Sequence, residues 1–136
     1  MDFAIAVKAF IVDNDHLLLI KRRDSDPHAP SLWEIPGGRL NKGENPFLGL
    51  KRETKEETNL DIEIIQSLNV DCFKRDDEQS IIMLVFICKP LSKEIILSEE
   101  HSLFEWVLIE EAKEKINRFM KKDVDLFIKF FREKIA

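Results

Sequence analysis

The apolar positions of this chain fall into runs separated by polar turns, and the first two runs predict a β-hairpin. Residues 3 to 12 are apolar on both faces and lead into an Asp-Asn-Asp turn signal at residues 13 to 15. The run at residues 17 to 22 then returns as the second strand. Residues 23 to 32 contain two prolines and are predicted to form a loop.

A second hairpin is predicted in the middle of the chain. Residues 62 to 73 and 80 to 89 are rich in β-branched side chains, which favour strands, and the polar residues 74 to 78 connect them. Two further strands are predicted, a short one at residues 33 to 35 and a longer one at residues 103 to 109. The chain therefore supplies at least one sheet.

Between the hairpins, helical spacing predicts a helix from residue 45 to residue 58. Asn45 is a good N-cap, and Pro46 suits the first helical position, where its missing N–H does no harm. Asn59 tolerates the left-handed conformation that ends many helices. Four positions at helical spacing form a stripe that is expected to face the core: Phe47, Leu50, Thr54 and Thr58.

The C-terminal region predicts a second amphipathic helix, preceded by a short one near residues 110 to 118. Its apolar face consists of Val124, Phe127, Ile128, Phe131 and Ile135. Helices that pack on both faces of a sheet form an α/β/α sandwich, so the predicted fold class is α/β. At 136 residues the chain is long enough for a core, and no linker-like segment divides it. A single domain over residues 1 to 136 is therefore expected.

Charge and cysteine content narrow the functional classes. The formal net charge is −5 and no basic cluster occurs, which argues against a nucleic acid or an anionic membrane as the main partner. No secretory signal or membrane-spanning run is recognisable, so a cytoplasmic protein is expected. Cys72 and Cys88 lie in strand-like stretches without a C-x-x-C spacing and are predicted to be buried, reduced thiols.

The helix at 45 to 58 carries an unusual concentration of acids. Glu53, Glu56 and Glu57 fall within an arc of about 100° beside the core-facing stripe. Like charges four residues apart repel by a few tenths of a kcal/mol even when exposed, so a cationic partner is expected. One interpretation is a solvated face neutralised by neighbouring lysines and Arg52, and the other is a site for a divalent cation.

Residues 38 to 60 resemble the Nudix box of the Nudix (MutT-like) hydrolases. The pattern is Gly38, five residues, Glu44, seven residues, Arg52-Glu53, and then Glu56-Glu57 after two further positions. Thr54 stands where the family has an aliphatic residue, but its hydroxyl can return to a carbonyl one turn back. Asn59 replaces the family's glycine, and neither change touches a carboxylate. The resemblance implies the family's mixed sheet with a loop-helix-loop catalytic motif.

The resemblance also implies roles for the box residues. Glu53, Glu56 and Glu57 would hold Mg²⁺, or Mn²⁺ in its place, with a carbonyl of Gly37 or Gly38 as a further ligand. Glu53 is the first candidate for the water-activating base within the box. Arg52 would orient Glu56 or Glu44 through a bidentate contact, and Glu44 is expected to orient its neighbours rather than bind the metal.

An additional acid is expected outside the box. Residues 97 to 106 resemble the loop before the family's last strand, where a further carboxylate often joins the metal cluster. Glu100, six residues before Trp106, matches that position best and is predicted to act in catalysis and metal binding. Glu99 is the neighbour that could replace it, and a solvated loop acid is the alternative interpretation.

Residues 21 to 38 resemble the region with which MutT-type members hold a nucleotide. Arg23 is a candidate phosphate clamp or else an exposed surface charge. Gly37, His28 and Asp77 are candidate substrate contacts, the last two for a base or ribose. Phe104 and Phe119 could stack on a base, but core packing is the preferred interpretation of both.

The function implied is Mg²⁺-dependent hydrolysis of a pyrophosphate bond in a nucleoside diphosphate linked to another group. A nucleoside triphosphate, including an oxidised dNTP as in MutT-like members, is the leading substrate, and a homodimer is left open. Dinucleoside polyphosphates, ADP-ribose and nucleotide sugars are alternatives. The chain has no tyrosine for the clamp of dinucleoside tetraphosphate hydrolases, and no proline between Leu60 and Pro90 like that of ADP-ribose-cleaving members. A catalytically silent ligand sensor or protein-binding module is the alternative of another class.

Overall fold

The computed structural model describes residues 2–135 and places seven strands and four α-helices in that span. The strands are β1 (Phe3–Asp13), β2 (His16–Arg22), β3 (Trp33–Glu34), β4 (Gly37–Arg39), β5 (Ile62–Lys74), β6 (Ser80–Pro90) and β7 (His101–Leu108). The helices are α1 (Pro46–Thr58), α2 (Ile109–Lys115), α3 (Lys121–Phe130) and α4 (Arg132–Ile135). Within residues 2–135, no helix has the length and apolarity that a membrane crossing would require.

Both predicted hairpins are present, and together they form a mixed sheet. β1 and β2 pair antiparallel around a turn in which Asn14 and Asp15 have positive φ angles of 48° and 61°. β5 and β6 also pair antiparallel. β1 runs parallel to β6, from Phe3 beside Ser80 to Ile11 beside Cys88, so antiparallel and parallel pairs occur in one sheet. The strand order is β3-β2-β1-β6-β5, with β4 added to β1 and β7 to β2.

The sheet has an apolar core on each face, because successive side chains of a strand point to opposite sides. Leu17 and Leu19 of β2 belong to the core that α2 and α3 cover. Leu18 and Ile20 of the same strand belong to the core that Leu50 of α1 covers. The predicted α/β/α sandwich is confirmed by this division.

The helix α1 begins and ends where its capping residues predict. Asn45 Oδ1 accepts hydrogen bonds from the N–H groups of Phe47 and Leu48, at 2.9 and 3.2 Å. Asn59 is left-handed, with a φ of 68°, and its N–H donates to the carbonyl of Lys55 at 2.9 Å. These local bonds fix the rotational register of the helix and therefore which of its side chains face the sheet.

The predicted core stripe of α1 is right at three of its four positions. Leu50, Thr54 and Thr58 are buried, but Phe47, in the first turn, is 51% exposed, and its ring lies 5.3 Å from that of Phe86 on β6. The hydrogen bond expected from the hydroxyl of Thr54 to a carbonyl one turn back is made by Thr58 instead. Thr58 Oγ1 donates to the carbonyl of Thr54 at 2.7 Å, whereas the hydroxyl of Thr54 has no partner among residues 2–135.

Three further expectations need correction. The C-terminal helix is not continuous, because α3 ends before Phe131, whose φ of −128° breaks the helix, and α4 follows. No strand is predicted at residues 37 to 39, but Gly37–Arg39 is a short strand paired with β1. Cys72 is exposed rather than buried, because β5 lies at the edge of the sheet, while Cys88 is buried as predicted and both thiols are free.

Candidate active site

A cleft of about 1020 Å³ opens beside α1, β4 and the β5–β6 hairpin. Part of its lining is acidic or bare backbone, and this part includes Gly37, Gly38, Glu53, Glu57 and Glu100. Another part is apolar and consists of Leu32, Phe73, Ile81, Met83, Phe119 and Met120. The cleft thus combines carboxylates and apolar surface within one cavity.

Arg52 forms ion pairs with several of the acids on and before α1. Its guanidinium holds Glu44 at two points, with Nε–Oε2 at 2.7 Å and Nη2–Oε1 at 2.9 Å. It also donates to Glu53 at 3.0 Å and to the exposed carboxylate of Glu56 at 3.1 Å. The hydrogen bonds from Arg52 lower the pKa of Glu44 to about 2, so this acid is ionised at any physiological pH.

Glu44 in turn explains a glycine in the middle of the helix. A Cβ on Gly49 would stand 2.3 Å from Leu40 Cδ2 and 3.0 Å from Glu44 Oε1, so a larger residue here would displace the side chains of both. Glu44 Oε1 also accepts from the N–H of Asn41 at 2.9 Å. The group that lies close to Gly49 is therefore the loop at residues 40 to 44, which precedes α1.

Glu53 lies against the bare backbone of Gly38. A Cβ at Gly38 would stand 2.4 Å from Glu53 Oε2, so the carboxylate occupies the space that any other residue would fill. Burial raises the pKa of Glu53 above its ordinary value, and the charges of Glu56 and Glu100 add to this against the opposing effect of Arg52. The coupling indicates that Glu53, Glu56 and Glu100 share one electrostatic site.

Glu57 is the buried acid of the box. It is 4% exposed, and its Oε1 accepts a hydrogen bond from the N–H of Gly37 at 2.7 Å. Burial raises the pKa of Glu57 to about 8, although the nearby ammonium of Lys8 acts in the opposite direction. Gly37 has a φ of 141°, and a Cβ there would stand 2.0 Å from the carbonyl oxygen of Val7, so this position requires glycine.

The acids fit a hard divalent cation by their chemistry, although they do not form a ready cage. Within residues 2–135, no three His, Cys, Asp or Glu side chains converge as they stand into a metal-binding group. Glu53 is instead bonded to Arg52, and Glu57 to the backbone of Gly37. Their raised pKa values show that the negative charge here is poorly compensated, which a cation would relieve, and carboxylate oxygens are the donors that Mg²⁺ prefers.

A buried ionic group that we call the Glu34 cluster lies next to these acids. It consists of Glu34, Lys8, Arg22 and His101. The Lys8 ammonium contacts Glu34 Oε1 at 2.9 Å and also donates to the carbonyl of Gly37 at 3.3 Å. Because the Gly37 carbonyl accepts from Lys8 and the Gly37 N–H donates to Glu57, the peptide groups before and after this residue are both held by hydrogen bonds.

The apolar part of the cleft presents an aromatic surface. The rings of Phe73 and Phe119 stack with centroids 5.9 Å apart and an interplanar angle of 22°. Phe119 is 46% exposed, so the preferred interpretation of this residue as core packing is wrong. The side chain of Asn117 holds the turn that carries it, accepting from the N–H of Phe119 at 3.1 Å and donating to the carbonyl of Trp33 at 2.8 Å. Phe104 is 45% exposed and does not belong to the core either.

Only some of the predicted substrate contacts line the cleft. Gly37 and His28 line the cleft, and His28 Nδ1 lies 2.8 Å from the carboxylate of Asp76. Arg23 donates to the carbonyl of Glu99, and Asp77 is paired with Arg75 at 2.6 Å; neither is among the cleft-lining residues. Their contacts with a substrate stay predictions.

Sequence reasoning missed several residues of the cleft. Lys8, Arg22, Glu34 and Phe73 all line it. Lys8 could have been noticed as a charge within a run that is apolar on both faces, because a buried lysine needs a partner. Arg22, the last residue of β2, lines the cleft, whereas Arg23, which follows the end of that strand, does not.

The comparisons with known proteins agree with this geometry. The family model of the NUDIX domain matches residues 2–127. A MutT-like protein of Streptomyces ambofaciens is 32% identical over 114 residues, which are 83% of this chain and 69% of that protein. The 8-oxo-dGTP diphosphatase of Buchnera aphidicola is 29% identical over 113 residues, which are 83% of each protein.

Solved structures show the same architecture. The crystal structure of a MutT protein from Methanosarcina mazei superimposes with a TM-score of 0.81 at 27% identity, over 98% of this chain and 96% of that one. The chain spans less than half the length of three Arabidopsis thaliana relatives that it also matches, covering 31%, 40% and 46% of them.

Proposed function

Because the chain belongs to the Nudix hydrolase family, we propose that it hydrolyses a pyrophosphate bond of a nucleoside triphosphate with the help of a divalent cation. The observation that carries this proposal is the cleft itself, in which poorly compensated carboxylates and a stacked aromatic pair line the same cavity. A triphosphate and a base are the two parts of one substrate that these surfaces would suit. The name of the Buchnera aphidicola relative supports the same class, including oxidised dNTPs.

Nudix hydrolases generally use a divalent metal such as Mg²⁺. Glu53, Glu56 and Glu57 would hold it here, with Glu100 and a carbonyl of the Gly37-Gly38 segment as further donors. When bound, the cation neutralises the phosphate oxygens and lowers the pKa of a coordinated water.

The chain's own residues supply orientation and proton transfer. Arg52 fixes Glu44 and Glu53 from the outside of α1, so these carboxylates have defined directions before substrate enters. Glu53 is the proposed base, because its raised pKa brings it closer to neutrality than an ordinary glutamate and its carboxylate reaches the backbone of Gly38. Phe119 would stack on the base and so set the distance from the base to the acids.

A substrate panel tests the proposal. Purified protein with Mg²⁺ is assayed against canonical and oxidised dNTPs, dinucleoside polyphosphates, ADP-ribose, NADH and nucleotide sugars, with phosphate and pyrophosphate release followed. We expect the highest kcat/KM for a nucleoside triphosphate and no turnover with EDTA. Nucleotide binding without turnover of any member of the panel would instead indicate a ligand-sensing module.

Glu57→Gln provides the matched test of the acidic site. It preserves shape and an acceptor for the Gly37 N–H but removes the charge, so turnover should fall by at least about 10²-fold while the fold is retained. Glu63→Gln, at an exposed position of β5, is the control and should behave as wild type. Wild-type turnover in Glu57→Gln would refute the assignment of this acid.

A further inference from the structure

The Glu34 cluster is unusual because it buries several charges beside the proposed catalytic acids. Glu34 is 5% exposed, and its carboxylate contacts Lys8 at 2.9 Å, Arg22 at 2.7 Å and His101 at 2.8 Å. Burial alone would raise the pKa of Glu34, but Lys8, His101 and Arg22 more than offset it and hold it at about 2. The carboxylate is therefore charged, and its partners on three different strands fix its position.

His101 connects this cluster to the loop that carries Glu100. A carboxylate only accepts hydrogen bonds at neutral pH, so Nε2 of His101 carries the proton and donates to Glu34 Oε2. The imidazole is 1% exposed, and this is its one hydrogen bond to another side chain within residues 2–135. The bond fixes the orientation of residue 101 and therefore the direction in which the chain arrives from residue 100.

Backbone hydrogen bonds complete the attachment of the loop. The N–H of Arg23 donates to the carbonyl of Glu100 at 3.1 Å, and the N–H of His101 donates to the carbonyl of Ser98 at 3.3 Å. The side chain of Arg23 also donates to the carbonyl of Glu99, and the N–H of Ser98 donates to the carbonyl of Glu57 at 3.1 Å. Among these ties, the imidazole bond is the one that links the end of the loop to the Glu34 cluster. Glu100 itself lines the cleft and raises the pKa of Glu53 through its charge.

We infer that Glu34, acting through His101, is a positioning residue that sets where the carboxylate of Glu100 stands relative to Glu53. The inference rests on the proposed function, since it assigns Glu100 to the acidic site of that reaction. Both oxygens of Glu34 are engaged by side chains, so its role needs no contact with substrate.

A role in stability alone explains the cluster less well. Burying charges costs desolvation energy, and apolar residues of similar volume often stabilise a protein at least as much as a buried ion pair does. A cluster that positions a loop gains from charge, because charged hydrogen bonds are short and directional. A displacement of about 1 Å at a catalytic group can reduce turnover by 10²-fold.

Substitutions at His101 test this directly and leave Glu34 with Lys8 and Arg22 as partners. His101→Phe fills the space but cannot donate, whereas His101→Gln retains an N–H donor. We expect His101→Phe to lower kcat at least about tenfold with less than a threefold change in KM, and His101→Gln to recover most of the loss. His16→Gln, at a histidine whose imidazole bonds to the carbonyl of Asn14 and not to the Glu34 cluster, is the control.

Two further measurements separate positioning from general destabilisation. In a Glu100→Gln background, His101→Phe should lower kcat by less than about a further twofold, because the carboxylate that His101 positions is already lost. Amide hydrogen exchange at residues 98–101 should be at least about tenfold faster in metal-free His101→Phe, with exchange in α3 unchanged. Additive losses in kcat, or unchanged exchange at residues 98–101, would overturn the inference.

The outcomes for the two proposals are distinguishable. If wild type hydrolyses no member of the panel, the proposed function fails, and hydrogen exchange alone decides whether His101 orders the loop. If wild type is active and His101→Phe has the kcat of wild type, the positioning role fails while the proposed function stands.

Discussion

Glu57 and Gly37 are joined by a 2.7 Å hydrogen bond from a backbone N–H to a carboxylate that solvent barely reaches. The bond connects the last acid of α1 to the first residue of the strand β4. A single N–H compensates a buried carboxylate only in part, and for this reason the pKa of Glu57 is raised to about 8. The metal-free protein should therefore be sensitive to pH.

The stability of the metal-free protein should fall as pH rises from about 4.5 to about 8. In this range the folded state holds a proton on Glu57 that the unfolded chain has already released, so ionisation favours unfolding. Denaturant unfolding with EDTA at pH 5.5 to 8.5 should show wild type losing on the order of 3 kcal/mol relative to Glu57→Gln. Titrating groups that do not interact with Glu57 cancel in the difference, whereas Glu34 and Glu53 are close enough to respond to its charge. Parallel pH profiles of the two proteins would contradict this prediction.

Arg52→Lys should damage activity far more than stability. Lysine keeps the charge but cannot hold Glu44 at two points while also reaching Glu53. We expect kcat to fall at least about tenfold, and the free energy of unfolding to change by only about 1 kcal/mol because the pair is partly exposed. Steady-state kinetics and urea denaturation measure the two effects. Lys55→Arg, on the solvent side of the same helix, is the control, and equal kinetics of both variants would refute the role of Arg52.

Two phenylalanines with nearly equal exposure test the proposed base-binding surface. Phe119 is 46% exposed and lines the cleft, whereas Phe104 is 45% exposed and lies outside it. Loss of a stacking partner costs about 1–3 kcal/mol per base, so Phe119→Ala should raise KM for a nucleoside triphosphate about tenfold. Phe104→Ala should leave KM unchanged. Equal KM values for the two variants would show that Phe119 does not contact the base.

Asp123→Asn should stabilise the protein at neutral pH. Asp123 is fully buried; its Oδ1 accepts from Asn69 at 2.9 Å, and its Oδ2 has no partner among residues 2–135. Burial raises the pKa of this acid to about 6, so the fold loses stability as pH rises from the ordinary pKa of an aspartate to about 6, and the loss is complete above that pH. Thermal and urea unfolding at pH 7.5 should show a gain of about 1–3 kcal/mol that shrinks as pH falls towards 4.

The exposed Asp125 provides the control for that substitution. Asp125→Asn removes the same charge two residues further along α3, where only a surface pair with Lys113 is lost. Its effect on the free energy of unfolding should stay within about 0.5 kcal/mol at pH 7.5. A loss of stability in Asp123→Asn at pH 7.5 would show that the buried charge is better compensated than its contacts indicate.

The sequence by itself determined the elements whose signals are local. The bounds of α1 follow from Asn45, Pro46 and Asn59, because each cap bonds to backbone within four residues of it. Both hairpins follow from apolar runs and the turns between them. The contact of Arg52 with Glu44 was also foreseeable, since the helix and the loop before it bring residues eight positions apart together.

Only the tertiary structure decided how far each acid is buried and what surrounds it. Glu34 meets Lys8 and His101 because β1, β3 and β7 lie in one sheet, although these residues are 26 and 67 positions away along the chain. Phe119 faces the cleft because Asn117 fixes its turn against Trp33. Periodicity reports which face of an element is apolar, but the neighbours of that face depend on strand order and crossovers, which no local signal specifies.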